Sequence, residues 1–220
     1  MPDRVVPMLP RRLCEDLCSL NPSVDRFSFS VVFELTPQAK IVGEPWFGRG
    51  IIRSCTKFAY ENAQSFIENP EGDIDPSLYP VVTDGFTLDA VRSAVLSLQS
   101  LAVNLRKSRV ENGSIRIEQI KIGFTWDAET KTPNGYFPYI RKEAHKLIEE
   151  FMLLANIAVA AKIESHFPDL AFLRCHPPPD QEKIETLQKE MMNMGFDNFN
   201  TKSSSALSKS LKQMAQNYKV

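Results

Sequence analysis

The sequence predicts an α+β fold in which short antiparallel strands pack with three long helices. Residues 27–54 and 115–140 alternate apolar and polar side chains, as half-buried strands do. Residues 87–109 and 142–167 instead repeat apolar side chains with the 3.6-residue period of a helix. The strands come in runs and do not alternate one by one with helices, so the pattern lacks the regularity of a parallel βαβ sheet.

The first 54 residues predict a short helix followed by a β-hairpin. Leucines recur at helical spacing ahead of Asn21-Pro22, a dipeptide that ends a helix. In residues 27–54, two alternating apolar runs are separated by a turn. Pro45 cannot donate a hydrogen bond to a partner strand, and it therefore favours a bulge or an edge in the second run.

The three long helices are expected over residues 56–69, 87–109 and 142–167. Thr56 is the expected N-cap of the first, because its hydroxyl can accept a hydrogen bond from a free amide of the first turn. Short strands are expected over residues 115–140. A weaker helix over residues 181–194 ends at Gly195, and from about Ser203 a marginal helix and a disordered tail are both compatible with the polar sequence.

Composition and charge exclude several classes of function. Twenty-six basic residues oppose 27 acidic ones, and the net charge of −1 gives no general field for nucleic acid or membranes, so any such partner must be held locally. The longest apolar stretch, residues 151–161, is shorter than the roughly 18 residues that span a bilayer. We expect a soluble, intracellular chain that binds neither membrane nor DNA. Its four cysteines lack zinc-site spacing and are expected to be buried thiols.

The helix over residues 142–167 carries the most informative polar residues. Glu149 and Asn156 are seven residues apart, so they face the same way on a helix. Asn156 has apolar neighbours on both sides, and we expect its amide to be buried and paired, since an unpaired buried amide costs about 1–3 kcal/mol. The alternative interpretation is structural: Asn156 caps a loop carbonyl, and Glu149 pairs with His145 or a lysine.

Two weaker groups lie elsewhere in the sequence. Arg53, with neighbouring basic and aromatic residues of the second hairpin strand, could contact phosphate and stack on bases, although strand residues with their charges in water would look the same. Asp73 and Asp75 flank a turn rich in proline and glycine. They are interpreted as a solvated turn, because Mg²⁺ needs several oxygens that converge from a rigid frame.

Four segments resemble, in order and spacing, the RNB catalytic domain of the ribonuclease II/R superfamily, and more narrowly its eukaryotic cytoplasmic Dis-three-like exonucleases. They are VVPMLPRRLCEDLCSLNP, WFGRGIIRSCTKFAYENAQSFIE, HKLIEEFMLLANIAVAAKI and LRCHPPP. The resemblance covers about Val5 to Pro179. We therefore expect residues 1–179 to form an incomplete RNB domain, and residues 180–220 to form a helical or partly disordered extension.

The resemblance implies hydrolysis of RNA from its 3′ end, one nucleotide at a time, with Mg²⁺ or alternatively Mn²⁺ as cofactor. It implies single-stranded RNA as substrate, with uridylated 3′ ends in the parent enzyme. Glu149 matches an acidic residue that lines the family's active site, and Asn156 is expected to face the same RNA channel, with Arg53 as a further RNA contact.

The family's metal-binding aspartates are expected upstream of the PMLP segment, where this chain has only Asp3. The resemblance therefore predicts a fragment that holds no metal tightly and is inactive by itself. A non-catalytic isoform that binds RNA or protein is the alternative.

Overall fold

The computed structural model describes residues 6–115, 122–127, 129–130 and 132–217 of the chain. These residues form two compact units, one drawn from Met1–Val103 and Gln119–Val159 and the other from Asn104–Glu118 and Ala160–Val220. The helices are α1 (Tyr60–Glu68), α2 (Leu88–Glu111), α3 (Glu143–His166), α4 (Gln181–Asn193) and α5 (Ser204–Asn217), and the strands are β1 (Asp25–Leu35), β2 (Ile41–Arg53), β3 (Ile122–Trp126) and β4 (Pro133–Pro138). This combination confirms the predicted α+β class.

Strands β1 and β2 form the predicted antiparallel hairpin. Their register pairs Phe27 with Ile51 and Val32 with Trp46, and it shifts beyond Val32. The irregular segment, residues 43–45 of β2, contains Pro45, which has no amide to donate to the partner strand. Phe27 and Ile51 share a face of the hairpin with Phe29, and all three side chains are exposed.

Strands β3 and β4 form a second antiparallel hairpin, with Phe124 opposite Tyr136. The expected strands between residues 115 and 140 are confirmed for these two segments. Ile117 and Ile120 belong to the region 115–140 in which short strands were expected, and they lie outside the described residues. A short π-helix over Arg12–Leu17 takes the place of the first predicted helix.

Helix α1 begins four residues later than predicted, because its N-cap is not Thr56. Ala59 takes that position, and its amide donates to the side-chain oxygen of Asn62 over 2.8 Å. A side chain at the third helical position that reaches back to the N-cap amide is one half of a capping box. The Thr56 hydroxyl is buried and has no hydrogen-bond partner among the described residues.

Helices α2 and α3 lie within one or two residues of their predicted bounds, and their apolar stripes explain why. In α3, Ala144 and Leu147 are buried. None of the helices in the described part of the chain is long and apolar enough to cross a membrane.

The second unit confirms the weaker predicted helix and resolves the tail as helical. Helix α4 ends at Asn193, and Gly195, which follows its C-cap Met194, has a φ of +88° that suits glycine. The Gly195 and Phe196 amides donate to the carbonyls of Met192 and Met191, both over 2.9 Å, which is the Schellman arrangement. Helix α5 then passes Gly113, where a Cβ would lie 2.5 Å from the Cα of Ser205.

A pocket of about 200 Å³ lies in the second unit, between the loop that follows α4 and helix α5. Ser210, one of its lining residues, accepts a hydrogen bond from the Asn200 amide over 2.9 Å. The pocket is open to solvent on the side of Gln213 and Asp197, which are both exposed. This hydrogen bond joins the loop to α5.

The structure does not bury the four cysteines. All four cysteines are free, but Cys14, Cys18 and Cys175 are exposed and Cys55 is half-buried. The prediction of buried thiols was therefore wrong. The apolar residues around Cys14 and Cys18, such as Leu17, are themselves exposed, so they form no core that would cover the thiols.

Candidate functional site

Helix α1 and the first turn of α3 are joined by a buried glutamine. The side-chain oxygen of Gln64 accepts a hydrogen bond from the Ala144 amide over 2.9 Å, and its Nε2 donates to Glu68 over 2.8 Å. Gln64 and Ala144 are both buried. Because first-turn amides have no partner within their own helix, this contact satisfies one of them and fixes α1 against α3.

His145 lies at the centre of this junction and makes three contacts. Its ring stacks on Tyr60, with ring centroids 4.0 Å apart and planes 19° from parallel. Its Nε2 lies 2.8 Å from the Tyr139 hydroxyl, and its Nδ1 accepts a hydrogen bond from the Lys142 amide over 3.2 Å. An Nδ1 that accepts carries no proton, so the geometry assigns the Nε2–H tautomer, which donates to Tyr139.

Charged residues surround the two tyrosines. Lys142 pairs with Glu61 over 3.1 Å, and Arg141 forms an ion pair with Glu149. Tyr60 and Tyr139 are 43% and 50% exposed. Tyr60, Tyr139, Arg141 and Lys142 are called the aromatic-basic surface below. It brings together two accessible π-faces and two cations on one side of the junction between α1 and α3.

Glu149, predicted from the sequence, lies beside this surface. Its structural alternative named His145 or a lysine as its partner, and the structure pairs it with Arg141. His145 is occupied by Tyr60, Tyr139 and the Lys142 amide, which leaves Arg141 as the cation that reaches the carboxylate. The prediction that Glu149 lines an active site stays a prediction.

Asn156 lies two turns further along α3, and the prediction that its amide is buried was wrong. The side chain is exposed, and so is its neighbour on the same face, Met152. Its apolar neighbour Ile157 is exposed as well, so this part of α3 faces water, which can satisfy the amide. Its predicted place in the RNA channel stays a prediction.

Arg53 is held at the open end of the β1–β2 hairpin. Its guanidinium pairs with Asp25 over 3.3 Å and with Asp84 over 3.2 Å, and it donates to the Ser23 carbonyl over 3.0 Å. Each guanidinium nitrogen therefore already has an acceptor. Ser23 and Asp84 both adopt positive φ, and Ser23 donates to the Asp84 carboxylate. Arg53 thus ties the loop before α2 to the hairpin, and its predicted contact with RNA stays a prediction.

The carboxylates of the described residues do not fit a magnesium site. Within that part of the chain, no three His, Cys, Asp or Glu side chains come together in a way that could hold a metal ion. Asp73 and Asp75 form an exposed turn, as predicted. The Asp75 carboxylate accepts from the amide and hydroxyl of Ser77, and these hydrogen bonds lower the pKa of Asp75.

The pKa of Glu61 is also lowered, because its carboxylate accepts a hydrogen bond from its own backbone amide and then from Lys142, whose positive charge adds to the effect. A carboxylate whose pKa falls on folding stabilises the folded state above its unfolded pKa, and the contribution is lost as the pH falls through the folded value. We therefore expect acid to remove a small stabilisation at this site.

Glu61→Gln should remove that pH dependence and lower stability slightly at neutral pH, with little difference from wild type below the folded pKa. Thermal unfolding measured across the acid range checks this, with exposed Glu185→Gln as control. A wild-type and a Glu61→Gln profile of the same shape would contradict it.

Tyr60 and Tyr139 were not singled out from the sequence. Neither tyrosine breaks the regular spacing of apolar residues along the sequence, so neither stands out. The signal that could have found them is their position, since Tyr60 is the first residue of α1 and Tyr139 comes four residues before α3. Aromatic residues at or shortly before the starts of two helices that pack together lie close to the place where the helices meet.

The fold is α+β, and the comparison with family models identifies the class of this chain. The RNB domain family matches residues 1–220. The chain belongs to the RNB domain family.

Two curated relatives of the chain have names that describe exonucleases. DIS3-like exonuclease 2 of Xenopus tropicalis is 46% identical over 208 residues, which cover 94% of this chain and 25% of the relative. An Arabidopsis thaliana relative, inactive exonuclease DIS3L2, is 33% identical over 216 residues, or 98% of this chain and 20% of that protein. The chain thus spans about a quarter of the length of the curated relatives it matches.

Solved structures confirm the fold. RNase R of Mycoplasma genitalium matches with a TM-score of 0.81 at 22% identity, over 98% of this chain and 32% of that chain, both in its apo form and in complex with ribose methylated single-stranded RNA. The resemblance to the RNB domain seen in the sequence is therefore confirmed.

Proposed function

We propose that this chain forms part of the RNA-contacting surface of an exoribonuclease that shortens RNA from its 3′ end. The observation that carries the proposal is the aromatic-basic surface beside Glu149, in a chain of the RNB domain family. The names of the relatives, which are exonucleases, and the complex of RNase R with single-stranded RNA support it. Uridylated 3′ ends as preferred substrate and a cytoplasmic location are part of the same proposal.

The chemistry of this surface suits single-stranded RNA. An exposed aromatic ring can stack on any base, and each such stack contributes about 1–3 kcal/mol. Arg141 and Lys142 are 43% and 36% exposed in their side chains, so both can reach phosphate oxygens. Since the chain as a whole has a net charge of −1, the attraction must be local.

Catalysis in the parent enzyme would use Mg²⁺ or alternatively Mn²⁺, which supplies a metal-bound water and neutralises the phosphate. The described residues lack a suitable set of ligands, so no catalytic step is assigned to them. Glu149, Asn156 and Arg53 are proposed as contacts to RNA, with Glu149 nearest to the aromatic-basic surface.

Arg141→Ala is expected to weaken the binding of a fluorescein-labelled oligo(U) about tenfold, because it removes a phosphate contact. The slope of log Kd against log salt should fall by about one. Fluorescence anisotropy over a salt series measures both quantities.

The matched control is Arg12→Ala, which removes an exposed arginine of the π-helix away from this surface. Equal losses in the two variants would mean that general charge, and not the aromatic-basic surface, binds the RNA. Under the same conditions, Glu149→Gln, Asn156→Ala and Arg53→Ala test the three predicted contacts one at a time.

We further propose that the 220 residues alone bind RNA without hydrolysing it, because no three His, Cys, Asp or Glu side chains of the described residues come together to hold a metal ion. An oligo(U) labelled at its 3′ end should stay intact on incubation with the chain and Mg²⁺. Release of labelled mononucleotide that EDTA abolishes would overturn this.

The non-catalytic alternative has one observation in its favour. A protein named inactive exonuclease DIS3L2 is 33% identical to this chain, so the RNB fold also occurs in a protein named as inactive. Under that alternative, the chain is an isoform that binds RNA or protein and does not cut RNA. Salt-dependent binding of oligo(U) without cleavage favours it, whereas mononucleotides released from the 3′-labelled substrate by the full-length parent with Mg²⁺ favour the exoribonuclease.

A further inference from the structure

His145 contacts both tyrosines of the aromatic-basic surface, although it is not one of the residues that define that surface. Its ring lies behind Tyr60 in a near-parallel stack, and its edge meets the Tyr139 ring at 74° with centroids 5.7 Å apart. The same imidazole is fixed to the backbone by the Lys142 amide. One side chain therefore touches both exposed tyrosines and the first turn of α3.

We propose that His145 is a positioning residue that holds Tyr60 and Tyr139 in the orientation in which they stack on RNA. The inference rests on the proposed function, since it concerns the same surface. It assigns the role to the neutral Nε2–H imidazole: Nδ1 accepts from the Lys142 amide, Nε2–H donates to the Tyr139 oxygen, and the ring face supports Tyr60.

The physical reason is the entropy of two half-exposed side chains. A free tyrosine must lose rotamer freedom when a base stacks on it, which costs about 0.5–1.5 kcal/mol for each side chain that binding immobilises. A ring that is already held loses less. Tyr60 is held by the stack and Tyr139 by the hydrogen bond, so both rings are ordered before RNA arrives.

The surrounding charges do not replace His145 in this role. Glu61 is engaged by Lys142, and Arg141 by Glu149. These pairs border the tyrosines, but no hydrogen bond between them and either tyrosine hydroxyl occurs among the described contacts. Glu149 shares a face of α3 with His145, one turn further along the helix.

A double-mutant cycle tests the proposal, with fluorescein-labelled oligo(U) as probe and anisotropy as readout. His145→Ala should weaken binding about fivefold in the wild-type background. In a chain that already carries Tyr60→Ala and Tyr139→Ala, the same change should have no effect, because there is nothing left to position. His145→Phe keeps a ring against Tyr60 and loses both hydrogen bonds, so its loss should be smaller.

The outcomes are distinguishable. If wild type binds oligo(U) and His145→Ala weakens both backgrounds equally, or neither, the positioning role is wrong and the proposed function stands. If wild type does not bind oligo(U), the proposed function fails and the inference falls with it.

A second measurement does not depend on RNA. Long-range ¹H–¹⁵N NMR of the wild-type histidine rings should show the His145 signals of the Nε2–H tautomer, assigned by their loss in His145→Phe. A His145 ring protonated on Nδ1 at neutral pH would contradict the hydrogen bond from Lys142 and overturn the proposal.

Discussion

Phe66→Ala is expected to lower the free energy of unfolding by about 3–5 kcal/mol, the range for removing a buried phenylalanine. Phe66 is 2% exposed and lies at the centre of an aromatic cluster. Its ring stacks on Tyr79, with centroids 4.8 Å apart, and its centroid lies 5.8 Å from that of Phe58. Chemical denaturation followed by circular dichroism measures the loss.

The control for this prediction is Phe172→Ala, which removes the same side chain from a fully exposed position. Its effect should stay within about 0.5 kcal/mol. If the two variants unfolded at the same denaturant concentration, the aromatic cluster around Phe66 would not be the core of its unit. Tyr79 also bonds to Ser65 through its hydroxyl over 2.8 Å, so the cluster is polar at one edge.

Gln64→Leu is expected to cost about 1–3 kcal/mol, because it leaves the buried Ala144 amide without an acceptor. Leucine has nearly the same size, so the loss would come from the hydrogen bond and not from a cavity. Since Gln64 fixes α1 against α3, the variant should also loosen the junction that presents Tyr60. Denaturation curves measure the first effect, and hydrogen exchange of the Ala144 amide measures the second.

Gln64→Glu is the informative partner of that variant. It keeps an oxygen that can accept a hydrogen bond from the Ala144 amide. It also places a second carboxylate next to Glu68, which in the wild type accepts a hydrogen bond from Gln64 Nε2. The Ala144 amide should stay protected from exchange in Gln64→Glu and lose protection in Gln64→Leu. Equal protection in both would show that this hydrogen bond does not join the helices.

The bounds of a helix could be predicted from the sequence where an apolar stripe determines them. They could not be predicted where a capping contact determines them. α2 and α3 follow their 3.6-residue stripes closely. The start of α1 was predicted four residues too early, because Thr56 is a favourable cap by residue type, whereas Asn62 reaches back to Ala59 instead. Residue type indicates which side chains can cap a helix, but the direction of the incoming chain decides which one does.

The residues of the candidate site likewise divide into those that the sequence indicated and those that it did not. Glu149 was chosen because it lies in a segment that resembles the RNB domain; the structure shows its ion pair with Arg141, and its place in an active site stays a prediction. The burial predicted for Asn156 was wrong, since a run of apolar neighbours does not define which face of a helix is covered. Tyr60 and Tyr139 are 79 positions apart in sequence, and no local pattern joins them.

By itself, the sequence determined the α+β class, the first hairpin, the two long helices and the resemblance to the RNB domain. Hydrophobic periodicity is local, so it is readable without a structure. The tertiary structure decided which polar groups meet: Arg141 with Glu149, Arg53 with Asp25 and Asp84, and His145 with two tyrosines. These contacts depend on how α1 and α3 pack and how the loop before α2 reaches the hairpin, and such long-range geometry leaves no periodic trace in the chain.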